Sequence, residues 1–302
     1  MPEIPDLEAY RHALRSRMEG ETLLRVRLGS PFLLRSVEPP VSACEGRVVR
    51  EVRRLGKKLV LALAGDYFLV LHLMIAGRLQ WKVSGARVPA KVGLAAFDFP
   101  TGTLTLTEAG TKRRAALYAV AGEEALREHD RGGLEVQSAT LEQFLAVLHS
   151  ESHTLKRTLT DPRLFAGIGN AYSDEILHRA RLSPLKLTGR VSDAEAARLY
   201  LAAREVLDSW TAALIAEAGD GFPGKVTAFR EEMAVHGRFG RPCPDCGSPV
   251  QRIVYAENEC NYCATCQNEG RILADRAFSR LLREDWPRTF EELEDRRERL
   301  QP

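Results

Sequence analysis

A cysteine pattern restricts this chain most. Cys243-Pro-Asp-Cys246 and Cys263-Ala-Thr-Cys266 are two CxxC pairs separated by sixteen residues. The stretch around them, 237–270, is rich in Gly, Pro and Cys and cannot build a core without a metal. Each pair suits a tight knuckle with both thiolates turned to one point, and two knuckles supply the tetrahedral sulfur set that zinc prefers. Clustered pairs in a reducing compartment favour metal over disulfides. The expected ligands are Cys243, Cys246, Cys263 and Cys266, holding one structural zinc ion with no open coordination position. Cys260 is evenly spaced with Cys263 and Cys266 but would break the symmetry of the knuckles, so it is rejected as a ligand. Residues 250–255 and those near 261–262 suit a hairpin between the knuckles. Cys44 stands alone and reads as a buried thiol without a role.

The rest of the chain is long enough for two or three domains: it has 302 residues, and 44% are hydrophobic. No apolar run approaches the roughly 20 residues of a membrane span. The start, MPEIPDLEAY, has no basic segment followed by an apolar one, so no secretion signal is expected, and the cytoplasm is the expected location. Net charge is only +2. That excess does not by itself argue for nucleic acid. The charges cluster, however, at Arg53, Arg54, Lys57 and Lys58, and again at Lys112, Arg113 and Arg114.

Leu7, Tyr10, Leu14 and Met18 recur at helical spacing, so residues 5–19 are predicted helical, with Pro2, Glu3 and Ile4 extended before them. From 22 to about 120 the pattern is that of strands. Leu24, Val26 and Leu28 alternate with arginines; 58–63 and 67–73 flank a Gly-Asp turn; 94–99 and 103–107 flank a Thr-Gly turn. Many short strands with turn signals predict an antiparallel sandwich or barrel. A Gly- and charge-rich linker is expected at 121–140. Helices are expected at 140–149, 152–160, 170–180 and 192–217. Two short tail helices, at 272–284 and 288–299, follow.

The N-terminus carries potential chemistry. Met1 precedes a small residue, so its removal would leave Pro2 with a free secondary amine. An α-amino group ionises near 7.7–8.0, well below lysine, so a useful fraction is neutral and nucleophilic. Attack on a sugar C1′ would give an iminium ion, by the logic of a lysine Schiff base. Glu3 is placed for general acid–base work. Taken alone, Met-Pro-Glu is also an ordinary chain start.

Five segments occur in one order: MPEIPDLE at the start, RLGKKLVL at 54–61, HLMIAGRL at 72–79, GIGNAYSDEILHRARLSP at 167–184, and the paired cysteines. Together they resemble the formamidopyrimidine-DNA glycosylase/endonuclease VIII family, over nearly all of residues 2–270. The resemblance implies an α+β multidomain protein. It would have an N-terminal antiparallel β-sandwich with a flanking helix (1–130), a helix–two-turn–helix domain (131–236), a zinc finger (237–270) and an added helical tail (271–302). Double-stranded DNA with damaged or abasic sites would be the partner, bound by a monomer between two lobes. The implied activity is excision of oxidised bases followed by β- and δ-elimination. Pro2 matches the nucleophile, Glu3 the general acid, Lys57 the phosphate-contacting lysine at a hairpin tip, and Asn170 the helix–two-turn–helix asparagine. A plain helix N-cap is the other reading of Asn170. Lys156 belongs with the implied DNA contacts, and Glu175 is similar to an acidic residue near the family's active site.

There are departures from the family pattern. The finger's arginine falls on Asn258, which cannot form a charged bidentate fork; Arg252 or Arg271 would have to substitute. The residue that fills the gap left by a flipped base aligns with Ile75, or with Met74. Arg113 or Arg114 supplies the accompanying arginine, but no phenylalanine follows. Two other classes fit parts of the pattern: a non-catalytic DNA-damage-binding protein with an idle amine, and a zinc-stabilised nucleic-acid or ribosome-associated module.

Overall fold

This computed structural model describes residues 1–302 except 111, 225, 228, 256, 257, 275–285 and 300–302. The chain packs as two compact units: Met1–Gly133 with Leu207–Ala228, and Leu134–Val206 with Phe229–Pro302. Among the described residues no helix is long and apolar enough to cross a membrane.

The first unit opens with α1 (Ile4–Met18). Pro5 suits the first turn because its missing N–H would have no partner there, and Asp6 complements the positive end of the helix dipole. Glu3 and Asp6 form a reciprocal capping box. The helix therefore begins at Ile4, which was expected to be extended.

Nine strands follow among the described residues: β1 (Thr22–Leu23), β2 (Arg25–Leu28), β3 (Arg47–Leu55), β4 (Lys58–Leu63), β5 (Tyr67–His72), β6 (Gly77–Lys82), β7 (Gly93–Phe99), β8 (Gly102–Glu108) and β9 (Ala116–Ala121). They form a five-stranded sheet ordered β1-β3-β4-β5-β9 and a four-stranded sheet ordered β2-β7-β8-β6. All of these pairings are antiparallel. Leu59, Leu61, Leu69 and Leu71 from the first sheet, Phe97, Phe99, Leu104 and Leu106 from the second, and Leu7, Tyr10 and Leu14 of α1 share one buried core. Phe97 is fully buried. Phe97→Ala should destabilise this unit by about 3–5 kcal/mol, read from urea unfolding.

Both predicted hairpins form, at β4–β5 and β7–β8. The alternation at 24–28 holds only for Val26: Leu24 and Leu28 are exposed. The stretch 121–140 is not a bare linker, because α2 (Glu123–Arg127) lies in it.

In the second unit, α3 (Leu141–Leu148) starts from a Thr140/Gln143 capping box. It is followed by α4 (Leu155–Thr160) and α5 (Asn170–Arg179). Then comes α6 (Asp193–Ala218), whose residues from Leu207 onward group with the first unit. The rings of Phe144, Phe165 and Tyr200 pack at 5.0 and 5.4 Å. β10 (Gln251–Tyr255) and β11 (Asn258–Tyr262) pair antiparallel, and α7 (Ala264–Asn268) follows. Of the first expected tail helix, 275–284 lies outside the described residues. The second is α8 (Phe290–Arg299), with Phe290 packed against buried Ile253, Tyr262 and Ala264.

Candidate active site and metal centre

Strand register brings three chain reversals to one end of the sheets in the first unit. Leu55 pairs with Lys58, so Gly56 and Lys57 form the β3–β4 tip. Gly56 takes φ +55°, which glycine adopts without strain. Leu59 pairs with Leu71, His72 with Ala116, and Gly77 with Glu108. The tip, the turn 73–77 and the loop 109–115 therefore lie together. The turn closes by a 2.9 Å bond from Gly77 N to Leu73 O. A Cβ at position 77 would stand 2.2 Å from that same oxygen, so only glycine fits.

The start of α1 is held at this end. Arg54 donates to Glu8 at 2.7 Å, and the Tyr10 hydroxyl accepts from Leu79 N at 3.2 Å. Pro2 and Glu3 are buried. Burial holds the Met1 ammonium below its ordinary value; nearby Arg78 and Lys57 act the same way, while Glu3 and Asp6 oppose them.

Ile75 projects from the turn, 55% exposed, while Met74 beside it is half-buried at φ +52°. Arg113 and Arg114 are exposed on the loop. Arg113 donates to Lys91 O. The loop is anchored from below by the buried Glu108 carboxylate, which accepts from Arg114 N and Ala115 N at 3.0 Å. Two neighbours escape a reading of the sequence, His72 and Arg78. Both lie inside the HLMIAGRL segment, where strand pattern alone gives them no role. Burial, helped by Lys58, Lys57 and Arg131, pushes the His72 imidazole down to about 4, so it is neutral at pH 7.

In the second unit, Gly169 caps α5, and Asn170 is the first helical residue rather than the cap. Its Nδ2 donates to Glu259 O at 2.8 Å. Lys156 is 4% exposed, and its ammonium donates to Asn170 O (2.6 Å), Ser173 Oγ (2.8 Å) and Asp174 Oδ1 (2.6 Å). An ammonium has three N–H bonds, so the direct DNA contact expected of Lys156 is corrected: it clamps the first turn of α5 instead. Glu175 is also internal, accepting from the backbone N–H groups of Ala234, Val235 and His236 at 2.7–2.9 Å. Asn258 opens β11, and its side chain lies outside what is described. Cys44 is buried, which pushes its thiol up to about 11.

The sulfurs of Cys243, Cys246, Cys263 and Cys266 all lie within 4.8 Å of one another. Cys243–Cys266 is 3.9 Å and Cys246–Cys263 is 3.4 Å. A tetrahedron with zinc–sulfur bonds of about 2.3 Å has edges of about 3.8 Å, so the four thiolates fit zinc. Cys260 is buried on β11, and Asp174 faces it there rather than the sulfur cluster.

The formamidopyrimidine-DNA glycosylase N-terminal domain model matches residues 1–166, and the H2TH domain model matches residues 133–216. The formamidopyrimidine-DNA glycosylase of Thermus thermophilus is 37% identical over 287 residues, spanning 89% of this chain and 100% of that one.

The chain belongs to the formamidopyrimidine-DNA glycosylase family.

The crystal structure of the Thermus thermophilus MutM (Fpg) protein is 36% identical, has a TM-score of 0.72, and covers 89% of this chain and 100% of its own. The Lactococcus lactis enzyme bound to DNA with an abasic site has a TM-score of 0.76, covering 88% of this chain and 99% of its own; at 22% identity it speaks for the fold alone. The fold is accordingly the family's: antiparallel sheets at the N-terminus, an H2TH helical domain, and a C-terminal cysteine cluster that fits zinc.

Proposed function

We propose that this member of the family is a bifunctional DNA glycosylase and AP lyase, excising oxidised bases from duplex DNA in base excision repair. The observation that carries the reading is the burial of Pro2 and Glu3 at the end of the sheets that also presents Lys57 and the turn 73–77. In this reading loss of Met1 frees the Pro2 nitrogen. A base inside a duplex cannot be reached, so the damaged nucleotide flips out, which costs least where pairing is already weak.

The Pro2 lone pair then forms a bond to C1′ while the glycosidic bond breaks, and the base departs and takes up the proton that the nitrogen sheds. Glu3, in its acid form, gives a proton to the ring oxygen as the sugar opens, leaving an iminium ion. The iminium withdraws electrons from C2′: loss of a C2′ proton expels the 3′ phosphate by β-elimination, and loss of the C4′ proton then expels the 5′ phosphate by δ-elimination. Lys57 meets a phosphate beside the lesion, and Asn170 holds the backbone through its polar head. Ile75 enters the vacated space as an apolar wedge. Arg113 and Arg114 line that space, and Asn258 offers a neutral contact where a charged one would grip harder. The domain boundaries near 130, 236 and 270 follow the same reading.

Bound zinc would stabilise the finger and take no part in the chemistry. The partner is double-stranded DNA, engaged by a monomer. We place the protein in the cytoplasm with the nucleoid, since its named relatives are bacterial repair enzymes and its cysteines suit a reduced metal site. A non-catalytic damage binder is not favoured, because the amine lies among the groups that excision needs. Duplexes with single defined lesions test the proposal: one or more oxidised bases should yield nicked strands with phosphate at both ends. Tight binding to every lesion without any nicking would overturn it.

A further inference from the structure

The finger is held by one face of α5. Asn170, Asp174 and His178 recur every four residues, and residues so spaced line one side of a helix. Asn170 Nδ2 donates to Glu259 O at 2.8 Å. Asp174 Oδ2 accepts from Asn261 N at 3.1 Å and lies 2.8 Å from His236 Nδ1. His178 Nε2 lies 3.3 Å from Cys243 Sγ. Both His178 and Cys243 are buried, at 4% and 2% exposed. The face spans about 12 Å from Asn170 to His178.

We propose that His178 is the outer hydrogen-bond donor of the metal site, giving its Nε2–H to the Cys243 thiolate and making α5 part of the zinc centre. A metal-bound thiolate has no proton to give, so of the two atoms the nitrogen must donate. A dication held by four thiolates keeps a double negative charge, and a buried N–H aimed at one sulfur offsets part of it. Such outer partners fix ligand orientation, and their loss typically costs about 10–100-fold in metal affinity. His178 is not needed as a ligand, because four sulfurs already complete the tetrahedron. The consequence is mechanical: the helix that presents Asn170 at its start is fastened at its other end to the metal.

Zinc transfer from the full-length holoprotein to a chromogenic chelator tests this without any reference to DNA or catalysis. His178→Phe should lose zinc about tenfold faster than the parent. His178→Gln carries an amide nitrogen at nearly the same reach and should restore slow release. The cobalt-loaded parent and His178→Phe should share one tetrathiolate visible spectrum, since only an outer donor is removed. Equal release rates for all three proteins would overturn the proposal. So would a cobalt spectrum that changes from mixed nitrogen–sulfur to another set in His178→Phe, which would make His178 a ligand. Should His178→Phe misfold by circular dichroism, His178→Leu takes its place: faster zinc release than from His178→Gln supports the donor role, and equal release refutes it.

Discussion

A chain extended by one residue ahead of Pro2, or left with Met1 in place, should give no covalent adduct with damaged DNA under borohydride. Its nicking rate should fall by at least about 10³-fold, because removing a nucleophile from an enzyme costs far more than removing a supporting group. The reason is local. A peptide-bonded proline nitrogen has no basic lone pair to offer. Duplex binding should survive, since phosphate contacts lie elsewhere. Glu3→Gln provides the control. It keeps an oxygen to accept from the Asp6 backbone in the capping box, so α1 should still form, while the loss of a proton donor should slow excision by roughly 10²–10⁴-fold. Undiminished adduct from the extended chain would refute the amine mechanism.

Cys263→Ala should release the metal and unfold the finger while leaving the first unit folded. Cys263 is completely buried, and it shares a small cluster with Val235, Cys243 and Val250. So few apolar groups cannot offset the entropy of ordering the two knuckles. Structural zinc contributes on the order of 10–16 kcal/mol in finger peptides, and that binding energy is the folding energy. The sandwich has its own large core and does not draw on it. Metal content, protection of the β10–β11 amides from exchange, and DNA affinity should fall together. A variant free of metal that kept parental DNA affinity would show that the finger is dispensable.

Local chemistry was legible in the sequence. The Gly65-Asp66 and Thr101-Gly102 turns announced two hairpins, and both form. The cysteine spacing announced the sulfur cluster, and the sulfurs converge. What sequence did not reveal depends on partners far along the chain. A lysine at position 156 looks like a phosphate contact until Ser173 and Asp174 close on it. Glu175 looks like an active-site acid until the backbone at 234–236 claims both its oxygens. Leu24 and Leu28 obey a period-two pattern with buried Val26 yet are exposed, because Leu24 falls in the break between β1 and β2 and Leu28 ends β2. The reading of Asn170 as a plain helix N-cap fails because Gly169 takes that place, and its position as the first helical residue had to be seen.

The Glu108 anchorage has an evolutionary corollary. Both ends of the loop 109–115 are fixed by main-chain pairing and by a carboxylate that grips main-chain N–H groups rather than side chains. The identities of Lys112, Arg113 and Arg114 are therefore free to drift without loosening the frame beneath them. Under the proposed function, in which Arg113 and Arg114 line the vacated space, selection could change that lining by rewriting the short segment, and a designer could graft another enzyme's segment between the same two fixed points.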